Sequence, residues 1–155
     1  MSVESNVSIN PVMNPATRPA DRIQAAFESL TLGNLPSLVA LYAPQARFVD
    51  PFNDVRGSAA VKAIFAHMFV QVSEPSFVIT RIIEADNDVF MRWDFTFVAR
   101  GKPQHIHGAT HFELDSAGLI TLHRDYWDAA QELYEKLPLL GSVLRWIRGR
   151  LAVKI

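Results

Sequence analysis

From Pro19 to about residue 71 the apolar positions recur at helical spacing, and after Pro75 they recur at every second position. Pro19 and Ala20 open a first helical pattern in which Ile23, Ala26, Phe27 and Leu30 share a face, and Gly33-Asn34 ends it. A second short helix is predicted with Leu35, Leu38, Val39 and Tyr42 as its apolar side, stopped by Pro44. An apolar strand follows around Phe48, then a polar loop at residues 53–57. Ser58 is the predicted N-cap of a third helix carrying Val61, Ile64, Phe65, Met68 and Phe69. The alternating half of the chain predicts strands near 76–85, 89–99, 104–114 and 118–127, joined by Asp86-Asn87-Asp88, Arg100-Gly101-Lys102-Pro103 and Asp115-Ser116-Ala117-Gly118. Short turns between consecutive strands imply an antiparallel meander. Helices first and a sheet afterwards make this an α+β domain, with helices covering one face of a curved antiparallel sheet.

Alternation also predicts which residues face inward. In 89–99 the odd positions Val89, Met91, Trp93, Phe95, Phe97 and Ala99 are all apolar, so the simplest reading turns Arg92 and Asp94 outward. In 104–114 Ile106, Gly108, Thr110, Phe112 and Leu114 form one set, and His105, His107, His111 and Glu113 the other. Histidines along one strand face resemble metal ligands; the plainer reading is a solvated or subunit-facing polar surface, and no metal or other cofactor is expected. In the last strand His123, Asp125 and Trp127 share a face, and alternation alone leaves open whether it is the inner one.

Composition narrows the function. The chain has 155 residues, 49% hydrophobic and 20% charged, which suits a single globular domain. With 15 basic and 16 acidic side chains the net charge is −1, so nucleic-acid binding is not expected. Cysteine is absent, which excludes thiolate catalysis and disulfides and fits a cytoplasmic protein. Residues 1–18, rich in Ser, Asn and Pro, read as a loose tail before a domain spanning 19–155. Ala129 to Lys136 reads as helical, Leu137-Pro138 as a break, and Leu139 to Leu151 as a last helix. Leu140, Val143, Leu144, Ile147 and Leu151 give that helix an apolar stripe, and Arg145, Arg148, Arg150 and Lys154 a basic side. Contact with an anionic membrane surface is one use of such a helix; packing on the domain or on a second subunit is the plainer one.

The candidate chemistry sits at two strand ends. Asp50 closes Ala46-Arg47-Phe48-Val49-Asp50-Pro51-Phe52, and Asp125 lies in Leu122-His123-Arg124-Asp125-Tyr126-Trp127-Asp128. A carboxylate beside such apolar surface is costly unless it is paired, hydrogen-bonded or protonated. Two that share one cavity would make an acid/base site, one taking and the other giving a proton, with His123 as a further proton-transfer group. Asp50 also has a structural reading, as an Asp-Pro turn whose carboxylate binds backbone N–H groups.

The order of elements, with Tyr42-Ala43-Pro44, Phe48-Val49-Asp50-Pro51 and Arg56-Gly57, resembles the nuclear-transport-factor-2-like superfamily over about residues 20–150. Its members include ketosteroid isomerases, SnoaL-like polyketide cyclases and limonene-epoxide hydrolases. The resemblance implies a cone of curved sheet and three helices around a deep apolar pocket, and a homodimer. Against the isomerases, Asp50 matches the catalytic base, while Ala26 and Thr110 stand where the oxyanion-binding tyrosine and protonated aspartic acid would be. Against the epoxide hydrolases, Arg92 and Asp94 resemble the Arg-x-Asp part of a catalytic triad, Asp125 matches the other acid, and Phe48 and Asp50 replace the water-binding tyrosine and asparagine. The implied activity is cofactor-independent acid/base chemistry on an apolar small molecule. Asp50, Asp125 and His123 would be catalytic, and Phe48, Trp93, Phe95, Phe97, Thr110, Phe112 and Trp127 the pocket. A non-catalytic binder and a protein-interaction module are the alternatives the same fold allows.

Overall fold

The computed structural model describes residues 17–132; the expected tail up to residue 16 and the expected C-terminal helices beyond Glu132 lie outside them. The elements are helices α1 (Pro19–Glu28), α2 (Leu35–Val39), α3 (Ser58–Gln71) and α4 (Ala129–Glu132), with strands β1 (Tyr42–Val49), β2 (Asp54–Arg56), β3 (Ser73–Ala85), β4 (Asp88–Ala99), β5 (Lys102–Leu114) and β6 (Ile120–Tyr126). The strands form one curved six-stranded sheet in the order β2-β1-β6-β5-β4-β3. Consecutive strands β3 to β6 pair antiparallel as the turns predict. The sheet is nevertheless mixed, because β1 lies parallel to β6. That pairing joins distant parts of the chain, so local alternation carries no trace of it.

Local chemistry accounts for three differences from the predicted elements. Tyr42 begins β1 instead of extending α2. Pro44 disfavours the helical conformation at Ala43 and cannot donate to a ladder. The β1–β6 register accordingly shifts between Tyr42, opposite Ile120, and Arg47, opposite Leu122. Gly57, not Ser58, is the N-cap of α3, with φ of 96°, a backbone state glycine adopts without steric cost. The loop at residues 53–57 contains the short strand β2, tied to β1 by an Arg47–Asp54 ion pair.

The helices cover one face of the sheet. Ala20, Ile23 and Phe27 of α1 and Val61 and Phe65 of α3 are buried against Phe48, Val89, Met91, Phe112 and Ile120 of the strands. Trp93, Phe95, Phe97 and Ile106 form a second cluster further along β4 and β5. At ~25 cal/mol per Å² of apolar surface removed from water, each large side chain buried here contributes roughly 1.5–3 kcal/mol. Every odd residue of β4 from Val89 to Phe97 is buried while Phe90, Arg92 and Thr96 are exposed.

The β4–β5 turn fixes that facing. Ala99 pairs directly with Lys102, so Arg100 and Gly101 form a two-residue loop, both at positive φ (51° and 72°), the geometry of a type I′ hairpin. From there the register places Asp94 opposite His107 and Trp93 opposite Gly108. No helix among the described residues is long and apolar enough to cross a membrane.

Candidate active site

Between the helices and the sheet lies a cavity of about 660 Å³. Its wall is mainly apolar: Phe27 of α1, Phe65 and Met68 of α3, Phe77 and Ile79 of β3, Trp93, Phe95 and Phe97 of β4, and Phe48, Phe112 and Trp127. Asp50, Thr110, His123 and Asp125 also line it, so the two carboxylates singled out from the sequence open onto one chamber. β6 supplies His123 and Asp125 from its inner face, which settles the facing that alternation leaves open.

A hydrogen-bonded chain runs across the floor. Trp93 Nε1–H donates to Thr110 Oγ1 at 2.8 Å, and the Thr110 hydroxyl donates to Asp125 Oδ1 at 2.5 Å. His123 Nε2 lies 2.9 Å from the same oxygen, and its Nδ1 is 2.7 Å from the Tyr42 hydroxyl. One proton arrangement satisfies every member: the Tyr42 O–H donates to Nδ1, and His123 Nε2–H donates to Asp125. Burial, then the nearby Asp125 charge, push the Tyr42 phenol well above its ordinary range, so Tyr42 keeps its proton and remains a donor. His123, 2% exposed, is boxed by the rings of Phe48, Phe112 and Tyr42, with centroids at 4.5, 4.7 and 6.0 Å. It is therefore fixed in orientation as well as buried.

The two aspartates differ in what their oxygens do. Asp125 receives both of these hydrogen bonds on Oδ1, its side chain is 17% exposed, and Oδ2 takes part in neither. Two donors to one oxygen offset much of the cost of burying a carboxylate and leave the other oxygen to meet a ligand. Asp50 instead accepts from the backbone N–H groups of Phe52 and Asn53, both at 2.7 Å, and from Asn53 Nδ2 at 2.9 and 3.0 Å. Its carboxylate builds the turn after β1, at the cavity's edge.

Arg92 and Asp94, expected on one alignment to join Asp125, do not line this cavity. Arg92 Nε donates to Thr80 Oγ1 at 2.9 Å on the outer face, and Asp94 lies against His107 and His105 there. The hydrogen bond from His107, then His105, holds the Asp94 carboxyl below the usual carboxylate range. The two-residue Arg100-Gly101 loop sets the register that places Arg92 and Asp94 on this face.

Two contributors escape a reading of the sequence. Tyr42 falls on the apolar side of a helical pattern, and its role depends on the long-range β1–β6 pairing. Gly108 has no side chain to attract notice, yet a Cβ there would lie 2.3 Å from Trp93 Cζ2 and Cη2. Its bareness lets the indole lie across β5 and reach Thr110.

A curved sheet and helices around an apolar chamber, with a buried carboxylate–histidine pair beside it, are the architecture of the nuclear-transport-factor-2-like class. The SnoaL-like domain model matches residues 23–123, and the chain belongs to that family. Solved structures agree on the fold. A protein with a ketosteroid isomerase-like fold from Catenulispora acidiphila, in complex with trimethylamine, aligns at a TM-score of 0.65 and 20% identity, covering 76% of this chain and 92% of that one. An LEH-like epoxide hydrolase from M. tuberculosis aligns at 0.62 and 20% identity, covering 83% and 92%. An NTF2-like protein of unknown function from Burkholderia pseudomallei aligns at 0.67 and 17% identity, covering 74% and 94%. At these identities the likeness establishes the fold alone. No curated protein sequence is significantly similar to this chain.

Proposed function

We propose that this SnoaL-like protein is a cofactor-independent acid/base enzyme that moves a proton on an apolar small molecule bound in the chamber. The observation that carries the proposal is Asp125, which lines an apolar cavity with one oxygen held by Thr110 and His123 and the other outside both bonds. Asp125 Oδ2 takes a proton from a ligand carbon next to a carbonyl, the C–H electron pair passes into the enolate, and the resulting carboxylic acid returns the proton at a second carbon. His123, oriented by Tyr42, and Thr110, oriented by Trp93, keep the carboxylate in place through both transfers. Asp50 contributes the shape of the rim. This differs from its expected role as base, since the turn's own donors already occupy its oxygens. Epoxide hydrolysis draws less support, because Arg92 and Asp94 face away from Asp125.

A binding protein with the same chamber is the second reading. The buried donors Trp93 Nε1, Thr110 and His123 already have protein partners, so none of the three is left free to hold a developing oxyanion. The homodimer implied by the resemblance belongs to the proposal too, and light scattering of the purified chain measures it.

Incubation with apolar ketones, enones and epoxides in D2O, and separately in H2¹⁸O, separates these readings by mass spectrometry. Proton transfer predicts deuterium at ligand carbon, slowed by at least ~100-fold in Asp125→Asn. Solvent oxygen in the product would assign hydrolysis. Tight ligand binding with no exchange, indifferent to Asp125→Asn, would assign a carrier.

A further inference from the structure

The outer face of the sheet, remote from the chamber, carries a donor set that the expectation of a plain polar surface does not absorb. Asp94 on β4 pairs directly with His107 on β5, and His105 lies two residues further along the same face. Both imidazoles aim a nitrogen at one carboxylate oxygen: His107 Nδ1 is 2.5 Å and His105 Nε2 is 3.3 Å from Asp94 Oδ1. One donor atom from each of the three residues lies within 4.8 Å of the others. Donors around a tetrahedral zinc, with bonds of ~2.0–2.1 Å, stand roughly 3.3 Å apart. The His105–Asp94 separation already has that value, and the His107–Asp94 contact needs to open by less than about 1 Å, within reach of a χ rotation.

We infer that Asp94, His105 and His107 form a binding site for a divalent first-row transition metal such as Zn²⁺. Two imidazole nitrogens and one carboxylate suit zinc, copper or nickel and not magnesium or calcium, which take oxygen donors. The donors stand on neighbouring strands of a continuous ladder, so the backbone sets their spacing before any ion arrives. Asp94 and His107 also line a depression on this face, together with Thr80, Arg92, Ala109 and Tyr126. In the single chain the side chains of His105 and His107 are 47% and 65% exposed.

A second set on the same face, Asp88, His111 and Glu113, has a similar layout. There the His111 ring is stacked on Phe90 at 4.3 Å and 2°, and its side chain is only 17% exposed, so it is less free to turn toward an ion. The Asp94 set is therefore the site, and the Asp88 set its internal control.

The test is calorimetric titration of the full chain with ZnCl2, repeated on His105→Ala, His107→Ala and His111→Ala, with circular dichroism to verify folding. The expected result is one equivalent of Zn²⁺ bound by the wild type and by His111→Ala, with affinity reduced by at least ~10-fold in His105→Ala and in His107→Ala. Co²⁺ is a second probe, expected to give the visible absorption of a nitrogen- and oxygen-bound ion in the wild type and to lose it in His107→Ala. Absence of binding by either ion, binding indifferent to His105→Ala and His107→Ala, or loss confined to His111→Ala would each overturn the assignment.

Discussion

Replacement of Gly108 by alanine tests how the floor of the chamber is built. In an ordinary strand Gly→Ala stabilises by roughly 0.5–1 kcal/mol, because glycine loses more backbone freedom on folding. Here the new Cβ would sit 2.3 Å from two atoms of the Trp93 indole and 2.9 Å from a third. Carbon atoms rest at ~3.5–4.0 Å, so the ring has to move by more than about 1 Å. Such a shift breaks the 2.8 Å bond from Trp93 Nε1 to Thr110 and unseats the group that orients Asp125. Overpacking of this kind costs about 1–3 kcal/mol and the lost hydrogen bond about 1 kcal/mol more, so a net loss of roughly 1–3 kcal/mol is expected after the backbone gain. In a domain of this size each kcal/mol lowers Tm by about 2–4 °C. Thermal melts of Gly108→Ala, Trp93→Phe and the double variant form a cycle in which the smaller phenyl ring should absorb most of the cost. If Gly108→Ala raises Tm, or costs as much in the Trp93→Phe background as in the wild type, the proposed packing is wrong.

Other predictions concern separate groups. Tyr42→Phe leaves buried His123 Nδ1 without its donor, and urea unfolding should show a loss of about 1–3 kcal/mol. Because burial raises the Tyr42 pKa above its unfolded value of about 10, the unfolded chain ionises first, and stability should fall progressively as the pH rises past about 10. In ultraviolet titration Tyr42 should ionise only on unfolding, and Tyr42→Phe should remove that delayed step. Arg92→Ala should leave affinity for a chamber ligand unchanged, since Arg92 bonds Thr80 on the opposite face; a fall of ~10-fold would restore the triad alignment.

The parts of this architecture legible in the sequence are those set by local pattern. The odd-numbered apolar run from Val89 to Phe97 states the inner face of β4, and the short turns state the antiparallel neighbours. Where the chemistry depends on contacts between distant segments, the sequence is silent. Parallel pairing of β1 with β6 brings Tyr42 to His123 across 81 positions, and helical spacing around Tyr42 points elsewhere. Asp50 and Asp125 look alike as acids at strand ends. What separates them is the donor set each meets, a local turn in one case and groups from β5 and β6 in the other. The outer-face donor set is half visible: the β5 histidines show in the alternation, but the carboxylate that completes them comes from β4 through a register fixed by one tight turn.

The central claim is that Asp125, and not Asp50, is the group that handles the proton. Once a ligand that undergoes exchange is in hand, the rate of deuterium incorporation at saturation decides between them. Asp125→Asn should be slowed by at least ~100-fold, while Asp50→Asn, whose amide oxygen still accepts the turn's backbone bonds, should stay within about ten-fold of the wild type. Loss of exchange in Asp50→Asn with activity kept in Asp125→Asn would contradict it.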